Sequence, residues 1–266
     1  MAVKRLALVT GASAGIGAAF ARAYAERGFD VAITARRADR LADLAAELEG
    51  LHDARAIAIE ADLARPGAVD LVLAGLGGAD VDVLVNNAGY GLPGTWARTS
   101  WNAQADVLQV MLTAPLELAH KILPGMIQRR WGRIVNVSSL AGFAPVGRGH
   151  TTYGPIKAAL TKFTQALNLE LQGTGVHATA ACPGMTRSEF HDVNGARSRV
   201  EKLPSWMWQT AETVAALAIA ASERNQAVIV TGAPNKLIAG LSKAMPDGLT
   251  QALARGQMVK YRGAAD

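Results

Sequence analysis

The residues Thr10-Gly11-Ala12-Ser13-Ala14-Gly15-Ile16-Gly17 follow directly on the apolar run Leu6-Ala7-Leu8-Val9. Glycine costs about 0.5–1 kcal/mol in regular structure, so a cluster at one turn points to a close approach to the backbone. A strand ending there and a helix beginning near Gly15 leave unsatisfied N–H groups and the positive helix end facing the turn, which suits the diphosphate of a dinucleotide. A tight strand–helix connection also needs glycine for packing alone, so the turn by itself leaves both uses open. The next predicted strand ends Ile33-Thr34-Ala35-Arg36-Arg37, where a dinucleotide fold reads the adenosine ribose. NAD calls for a carboxylate there, to accept from both ribose hydroxyls. Ala35 is neutral instead, and Arg36 and Arg37 bring guanidinium groups that can hold a 2′-phosphate in bidentate fashion. The pattern favours NADP over NAD.

These residues need a frame to position them. Strands are predicted over Arg5–Thr10, Asp30–Ala35, Ala56–Glu60, Val83–Val85, Arg133–Val137, Val176–Ala181 and Ala227–Val230. They are rich in Val, Ile and Ala with little alternation, the mark of parallel strands buried on both faces. Helical periodicity covers Gly15–Arg27, Asp39–Leu48, Ala68–Leu76, Trp101–Arg130, Tyr153–Leu171 and Glu212–Glu223. The alternation predicts a doubly wound α/β Rossmann-like fold: a parallel sheet of about seven strands, helices on both faces, one domain over residues 1–266. Ligands of such a sheet bind beyond the carboxyl ends of its strands.

Composition narrows the partners. A chain of 266 residues with 50% hydrophobic content can bury one sizeable core. The net charge of +5 is carried by scattered basic residues, which argues against nucleic acid. A single cysteine, Cys182, excludes an internal disulfide framework and a multi-cysteine metal site and points to the cytoplasm. His52, His120, His150, His177 and His191 show no hydrolase or metal spacing, so no metal is expected. Leu6–Val9 is too short for a secretory leader, and Val214–Ala221 is too short for a membrane span. The irregular stretch 184–210 carries Met185, Phe190, Trp206, Met207 and Trp208, and reads either as a substrate loop or as a surface helix pair packed inward. Beyond the last strand, 233–266 reads as a helical extension, amphipathic over Lys236–Met258 and broken at Pro246.

Further motifs stand at strand carboxyl ends. Asp62 follows the third predicted strand, Asn86-Asn87-Ala88-Gly89 the fourth, Ser139 the fifth and Pro183-Gly184 the sixth, while Tyr153-Gly154-Pro155-Ile156-Lys157 opens a helix. With the glycine turn, this ordered set resembles the short-chain dehydrogenase/reductase family in its compact single-domain branch, from Thr10 to near Gly232. The resemblance implies an NADP(H)-dependent oxidoreductase that moves hydride between the nicotinamide and a ketone, aldehyde or secondary alcohol. It assigns catalysis to Ser139, Tyr153 and Lys157. Cofactor contacts are implied for Gly11, Ser13, Ala14, Gly15, Ile16, Gly17, Arg36, Arg37 and Asp62, and for Asn87, Ala88 and Gly89 in the loop on the adenosine side. They are implied as well for Tyr153, Lys157, Pro183 and Gly184, with Ser188 or Thr186 at the carboxamide. A homodimer or homotetramer through the long helices is also implied by resemblance.

The chemistry of each residue type is consistent with those roles. Lys157 lies one helical turn beyond Tyr153, so both side chains share a face. A unit charge about 4 Å away is worth roughly 4 kcal/mol at an effective dielectric near 20, or about three pKa units off an ordinary phenol. Ser139 would hydrogen-bond the substrate oxygen while Tyr153 exchanges its proton. One departure stands out: Met111 occupies the place where the family usually carries an asparagine that helps hold a water relaying protons to the lysine. A thioether is a weak acceptor, yet a backbone carbonyl survives any substitution. The alternative is therefore a weakly catalytic NADP-binding regulatory or scaffold protein. Tyr90, Leu92, Trp96, Phe190, Trp206 and Trp208 either line an apolar pocket for a hydrophobic carbonyl or serve as core or subunit contacts.

Overall fold

The apolar runs form β1 (Leu6–Thr10), β2 (Asp30–Ala35), β3 (Ala56–Glu60), β4 (Val83–Asn86), β5 (Gly132–Val137) and β6 (Val176–Cys182). The computed structural model describes residues 4–92, 94–143, 151–189, 204–246 and 248. Two short strands follow, β7 (Met185–Arg187) and β8 (Trp208–Thr210), and then β9 (Val228–Val230). Seven strands make one parallel sheet in the order β3-β2-β1-β4-β5-β6-β9. The winding reverses between β1 and β4, so the crevice at their carboxyl ends is the switch point where such sheets take ligands.

The sheet is covered twice. Leu8, Ala32, Leu84 and Ile134 join a core completed by Val69 and Val72 of α3 (Ala68–Gly75), Leu118 and Met126 of α5 (Ala114–Gln128), and Ile156 and Leu167 of α6 (Tyr153–Glu170). Val9, Val31, Ile33, Val85 and Val135 join another, with Phe20 and Tyr24 of α1 (Gly15–Glu26), Leu41 and Leu48 of α2 (Ala38–Leu51), and Ala215 and Ala218 of α7 (Ala211–Glu223). Successive residues of one strand therefore enter different cores. That is why the sequence shows continuous apolar runs rather than alternation.

Two stretches differ from expectation. The single helix predicted over Trp101–Arg130 is divided into α4 (Trp101–Leu108), a π-helical turn over Gln109–Thr113, and α5. Pro115 accounts for the break, because it lacks the N–H that the Met111 carbonyl would accept in a continuous α-helix. The Ala114 N–H reaches back five residues to the Gln109 carbonyl. The stretch 184–210, expected to be irregular, contributes β7 and β8, a parallel pair with Met185 opposite Trp208 and Arg187 opposite Thr210. The expected C-terminal helix appears as α8 (Ala233–Ala244) and stops before Pro246. Phe190, His150, His191, the rest of the stretch through residue 203, and residues 247 and 249–266 lie outside the described residues. Among the described residues, no helix is long and apolar enough to cross a membrane, and no His, Cys, Asp and Glu group could hold a metal.

Candidate active site

The glycine turn is locked to the end of β4 by a threonine and an asparagine. The Thr10 hydroxyl accepts from the backbone N–H of Asn87 (3.0 Å) and Ala88 (3.1 Å) and donates to the Val85 carbonyl (3.3 Å). The Asn87 amide donates to the carbonyls of Thr10 (3.0 Å) and Gly11 (3.1 Å). Gly11 needs its φ of +66°, and a Cβ there would sit 2.7 Å from the Ala88 Cα. At Gly17 a Cβ would lie 2.3 Å from the Gly11 carbonyl oxygen and 2.5 Å from the Asn87 amide nitrogen. Two of the three glycines are thus demanded by the protein's own packing. Gly15, with φ +55° at the start of α1, faces Ser188 across the turn, 2.9 Å from an added Cβ to the Ser188 Cβ. Ser13 and Ala14 complete the turn beside it, and Ile16 packs partly buried beneath it.

At the end of β2 the two arginines diverge. Arg37 donates from Nε (3.2 Å) and Nη2 (2.9 Å) to the Ser13 hydroxyl, and from Nη1 to Glu189 (2.9 Å). Arg36 lies over the Tyr90 ring, 5.7 Å from its centroid. Asp62, after β3, accepts from the Ala64 N–H (3.1 Å) and pairs with Arg65 (3.2 Å). Burial raises the Tyr90 phenol pKa, with Asp106, Arg36, Asp62 and Arg65 as smaller, partly opposing influences, which places these groups on one flank of the crevice. The buried Asn86 does not face the crevice: its amide donates to Asn136 (2.9 Å) and the Pro115 carbonyl (3.2 Å), and Asn136 donates on to Thr164 (2.8 Å). This network joins β4, β5, the head of α5 and α6. A lone asparagine inside the apolar run Arg133-Ile134-Val135-Asn136-Val137 was its sequence signal.

Ser139, Tyr153 and Lys157 come together. Ser139 caps a short 3-10 turn over Leu140–Gly142, accepting from the Ala141 N–H (3.1 Å), and is hydrogen-bonded to the Tyr153 hydroxyl. Gly142 lets that turn press on α6, since a Cβ there would meet the Ala158 nitrogen and the Lys157 carbonyl carbon at 3.0 Å. Behind it, the Ser138 hydroxyl donates to the Lys157 carbonyl (2.7 Å). Lys157 is buried, and its Nζ donates to the Val137 carbonyl (2.7 Å) with no carboxylate paired to it among the described residues. Desolvation pulls its pKa down to about 8.

The expected lowering of the phenol by that lysine is not what this geometry gives. Nζ is held on Val137, 5.7 Å from the Tyr153 ring centroid, and burial raises the phenol above its ordinary value while the Ser139 hydrogen bond opposes the rise. Here desolvation outweighs the Ser139 hydrogen bond, and of this pair the lysine is the group brought towards neutrality.

Tyr153 lines a small cavity with Tyr90, Leu92, Trp96, Gln104 and Thr152. The Thr152 hydroxyl donates to Gln104, whose amide donates to Thr99 (2.7 Å). A larger cavity of about 700 Å³ lies apart from these groups, on the other flank of the glycine turn, bordered by Ser13, Gly15, Arg40, Ser188, Glu189 and Trp208. The described candidates for an apolar pocket therefore divide: Tyr90, Leu92 and Trp96 stand at Tyr153, Trp208 at the larger cavity, and Trp206 is 65% exposed. Pro183 accepts from the Leu140 N–H (2.8 Å), and Gly184 leaves room for Asn235, whose amide carbon would be 2.6 Å from a Cβ. Thr186 is buried and donates to the Gly184 carbonyl (3.2 Å), whereas Ser188 lies against Gly15. Glu189, Arg40, Arg65, Gln104 and Thr152 escaped the sequence reading because isolated polar residues carry no period or motif.

Comparison with known proteins bears on the chain and its fold as a whole. The family described as short chain dehydrogenase matches residues 5–198. A serine 3-dehydrogenase of Agrobacterium fabrum is 39% identical over 191 residues, 69% of this chain and 72% of that protein. Among solved structures, the short-chain dehydrogenase from Sphingobium yanoikuyae in complex with NADPH has a TM-score of 0.81 at 33% identity, covering 94% of each chain. The bulky-bulky ketone specific alcohol dehydrogenase from Comamonas testosteroni has a TM-score of 0.75 at 29% identity, covering 98% of this chain and 96% of that one.

Proposed function

The chain belongs to the short-chain dehydrogenase family, and from that premise we propose that it is an NADP(H)-dependent oxidoreductase that interconverts a hydrophobic ketone or aldehyde and its alcohol. The observation that carries the proposal is the hydrogen-bonded Ser139–Tyr153 pair with buried Lys157 one turn further on, at the carboxyl end of the sheet. A positive-φ glycine turn at the head of α1, with Arg37 already gathered on Ser13, fits a dinucleotide bearing a 2′-phosphate. Gly11 to Gly17 with Ser188 would hold its diphosphate, Arg36, Arg37 and Ser13 its 2′-phosphate, and Asp62 with Asn87 to Gly89 its adenosine side. Pro183, Gly184 and Thr186 would hold its nicotinamide side. When bound, the cofactor supplies or accepts the hydride.

The remaining work belongs to the chain. Ser139 hydrogen-bonds the substrate oxygen and fixes it beside Tyr153. Tyr153 gives its phenolic proton to that oxygen in reduction and takes it back in oxidation. Lys157, cationic below about pH 8 and one helical turn from Tyr153, stands ready to return a proton. The apolar wall of Tyr90, Leu92 and Trp96 supports a hydrophobic substrate, as does likeness to a bulky-ketone enzyme. Trp101 and Leu169, about two-thirds exposed on α4 and α6, support a homo-oligomer. NADPH oxidation by the purified protein with bulky ketones and aldehydes, against ketose sugars and serine oxidation as controls, tests the proposal. Turnover confined to sugars or serine would replace the substrate class, and NADPH binding without any turnover would favour the binding-protein reading that Met111 raises.

A further inference from the structure

We propose that Glu189 is a specificity-determining residue, a built-in competitor for the 2′-phosphate that moderates the preference for NADP(H) over NAD(H). The inference rests on the NADP reading above. Residues 188 and 189 lead out of β7 across the glycine turn, where Ser188 lies against Gly15. The next side chain, Glu189, thereby reaches the end of β2 and accepts from Arg37 Nη1 at 2.9 Å, with Arg40 4.0 Å from its other oxygen. Arg37 spends its Nε and Nη2 donors on Ser13. Of the five N–H donors in the guanidinium fork, two are on Ser13 and a third is already on a carboxylate.

Charge and exposure decide what this contact does. Arg37 and Glu189 are 45% and 43% exposed, so water and ligand anions both have access to the pair. A 2′-phosphate carries more charge and more acceptors than a carboxylate and can displace it. Glu189 stays tethered nearby by Ser188 and Arg40, and from there its charge repels the phosphate. NAD(H), which presents hydroxyls at that position, meets no such penalty. The competitor therefore weakens one cofactor and leaves the other alone.

The test is calorimetric titration of the full-length protein and Glu189→Gln with NADPH, NADH, 2′-AMP and 5′-AMP. The variant should bind NADPH and 2′-AMP about two- to fivefold more tightly, the range expected for an exposed ion pair, and the gain should shrink as salt is raised. NADH and 5′-AMP should be unchanged. Glu189→Ser, neutral and lacking the amide, should give the same selectivity. Equal changes for all four ligands, no change, or weaker NADPH binding in both variants would overturn the inference. Arg37→Ala separates it from its premise: selective loss of NADPH and 2′-AMP there, with neutral Glu189 variants, sinks the competitor alone, whereas equal loss of NADPH and NADH removes Arg37 from the 2′-phosphate site.

Discussion

At the glycine turn the structure works through backbone, and at the head of α6 it works through side chains. Gly11 and Gly17 are there for what they lack, since any Cβ would strike Ala88, Asn87 or the Gly11 carbonyl. Ser139, Tyr153 and Lys157 are there for what they carry, and each is held by a hydrogen bond to a neighbouring element or partner. The two regions face one crevice and share β4 and its loop as a common wall. Substitutions should therefore fail in different ways: by displaced backbone at the turn, by lost proton chemistry at the helix.

The largest effect should come from Tyr153→Phe, which removes the phenolic proton and keeps the ring. Steady-state kinetics should show kcat down by about 10²–10⁴-fold, the usual worth of a positioned acid–base group, with NADPH affinity nearly unchanged. If most of the turnover survives, proton transfer does not run through this hydroxyl and the two regions are not divided as argued.

Lys157 sharpens the side-chain half of the comparison. Its folded pKa of about 8 lies below its ordinary value of 10.5, so between those values the unfolded chain binds more protons than the folded one. Stability must then rise with pH through that window, and below about pH 8 the folded state carries the full cost of a buried cation. Lys157→Met should lose activity yet gain stability over the native chain at pH 7, on the order of 3 kcal/mol less whatever the Val137 hydrogen bond contributes. That advantage should fade towards pH 10 in denaturant titrations. A stability difference that stays flat from pH 7 to pH 10 would mean the lysine is not desolvated.

Gly17→Ala tests the backbone half. With the Gly11 oxygen 2.3 Å from the new methyl, the turn must shift, and overpacking of this kind costs about 1–3 kcal/mol. Gly28, at φ +81° with nothing within 4 Å of an added Cβ, is the control: alanine there meets left-handed strain without a clash and should leave NADPH binding alone. Similar losses of NADPH affinity in both variants, measured by calorimetry, would show that close packing at Gly17 is not what shapes the turn.

The same division governs what could be read from sequence. The seven-stranded sheet was legible because strands buried on both faces must be apolar throughout, and Leu8 and Val9 enter opposite cores without breaking the run. Ser139, Tyr153 and Lys157 were legible as residues standing at strand ends and one helical turn apart. Their electrostatics were not, since whether Lys157 turns to Tyr153 or to the Val137 carbonyl depends on burial that no spacing encodes. The break in the helix after Leu108 hid behind continuous apolar periodicity, although Pro115 was in plain view. Glu189 was invisible because its partner Arg37 is distant in the chain and the contact is made by a loop crossing the glycine turn.

The smallest expected effect is at Met111, where the two regions meet. Its side chain is buried, and its sulfur would be 2.9 Å from a Cβ at Gly89, so it packs the underside of the β4 loop. Its carbonyl faces a different fate: Pro115 offers no N–H at the α-helical position, and the π-turn over Gln109–Thr113 breaks the regular ladder there. A carbonyl without its α-helical donor can accept from a water, which is the service a relay to Lys157 requires. Met111→Asn should then change kcat by less than about tenfold, or about 1.4 kcal/mol, with solvent isotope effects preserved. The variant should also melt lower, because an amide placed against Gly89 gives up apolar packing. A rate gain well above tenfold would mean that the side chain, and not the carbonyl freed by Pro115, is the missing part of the relay, and would move the native protein towards the weakly catalytic reading.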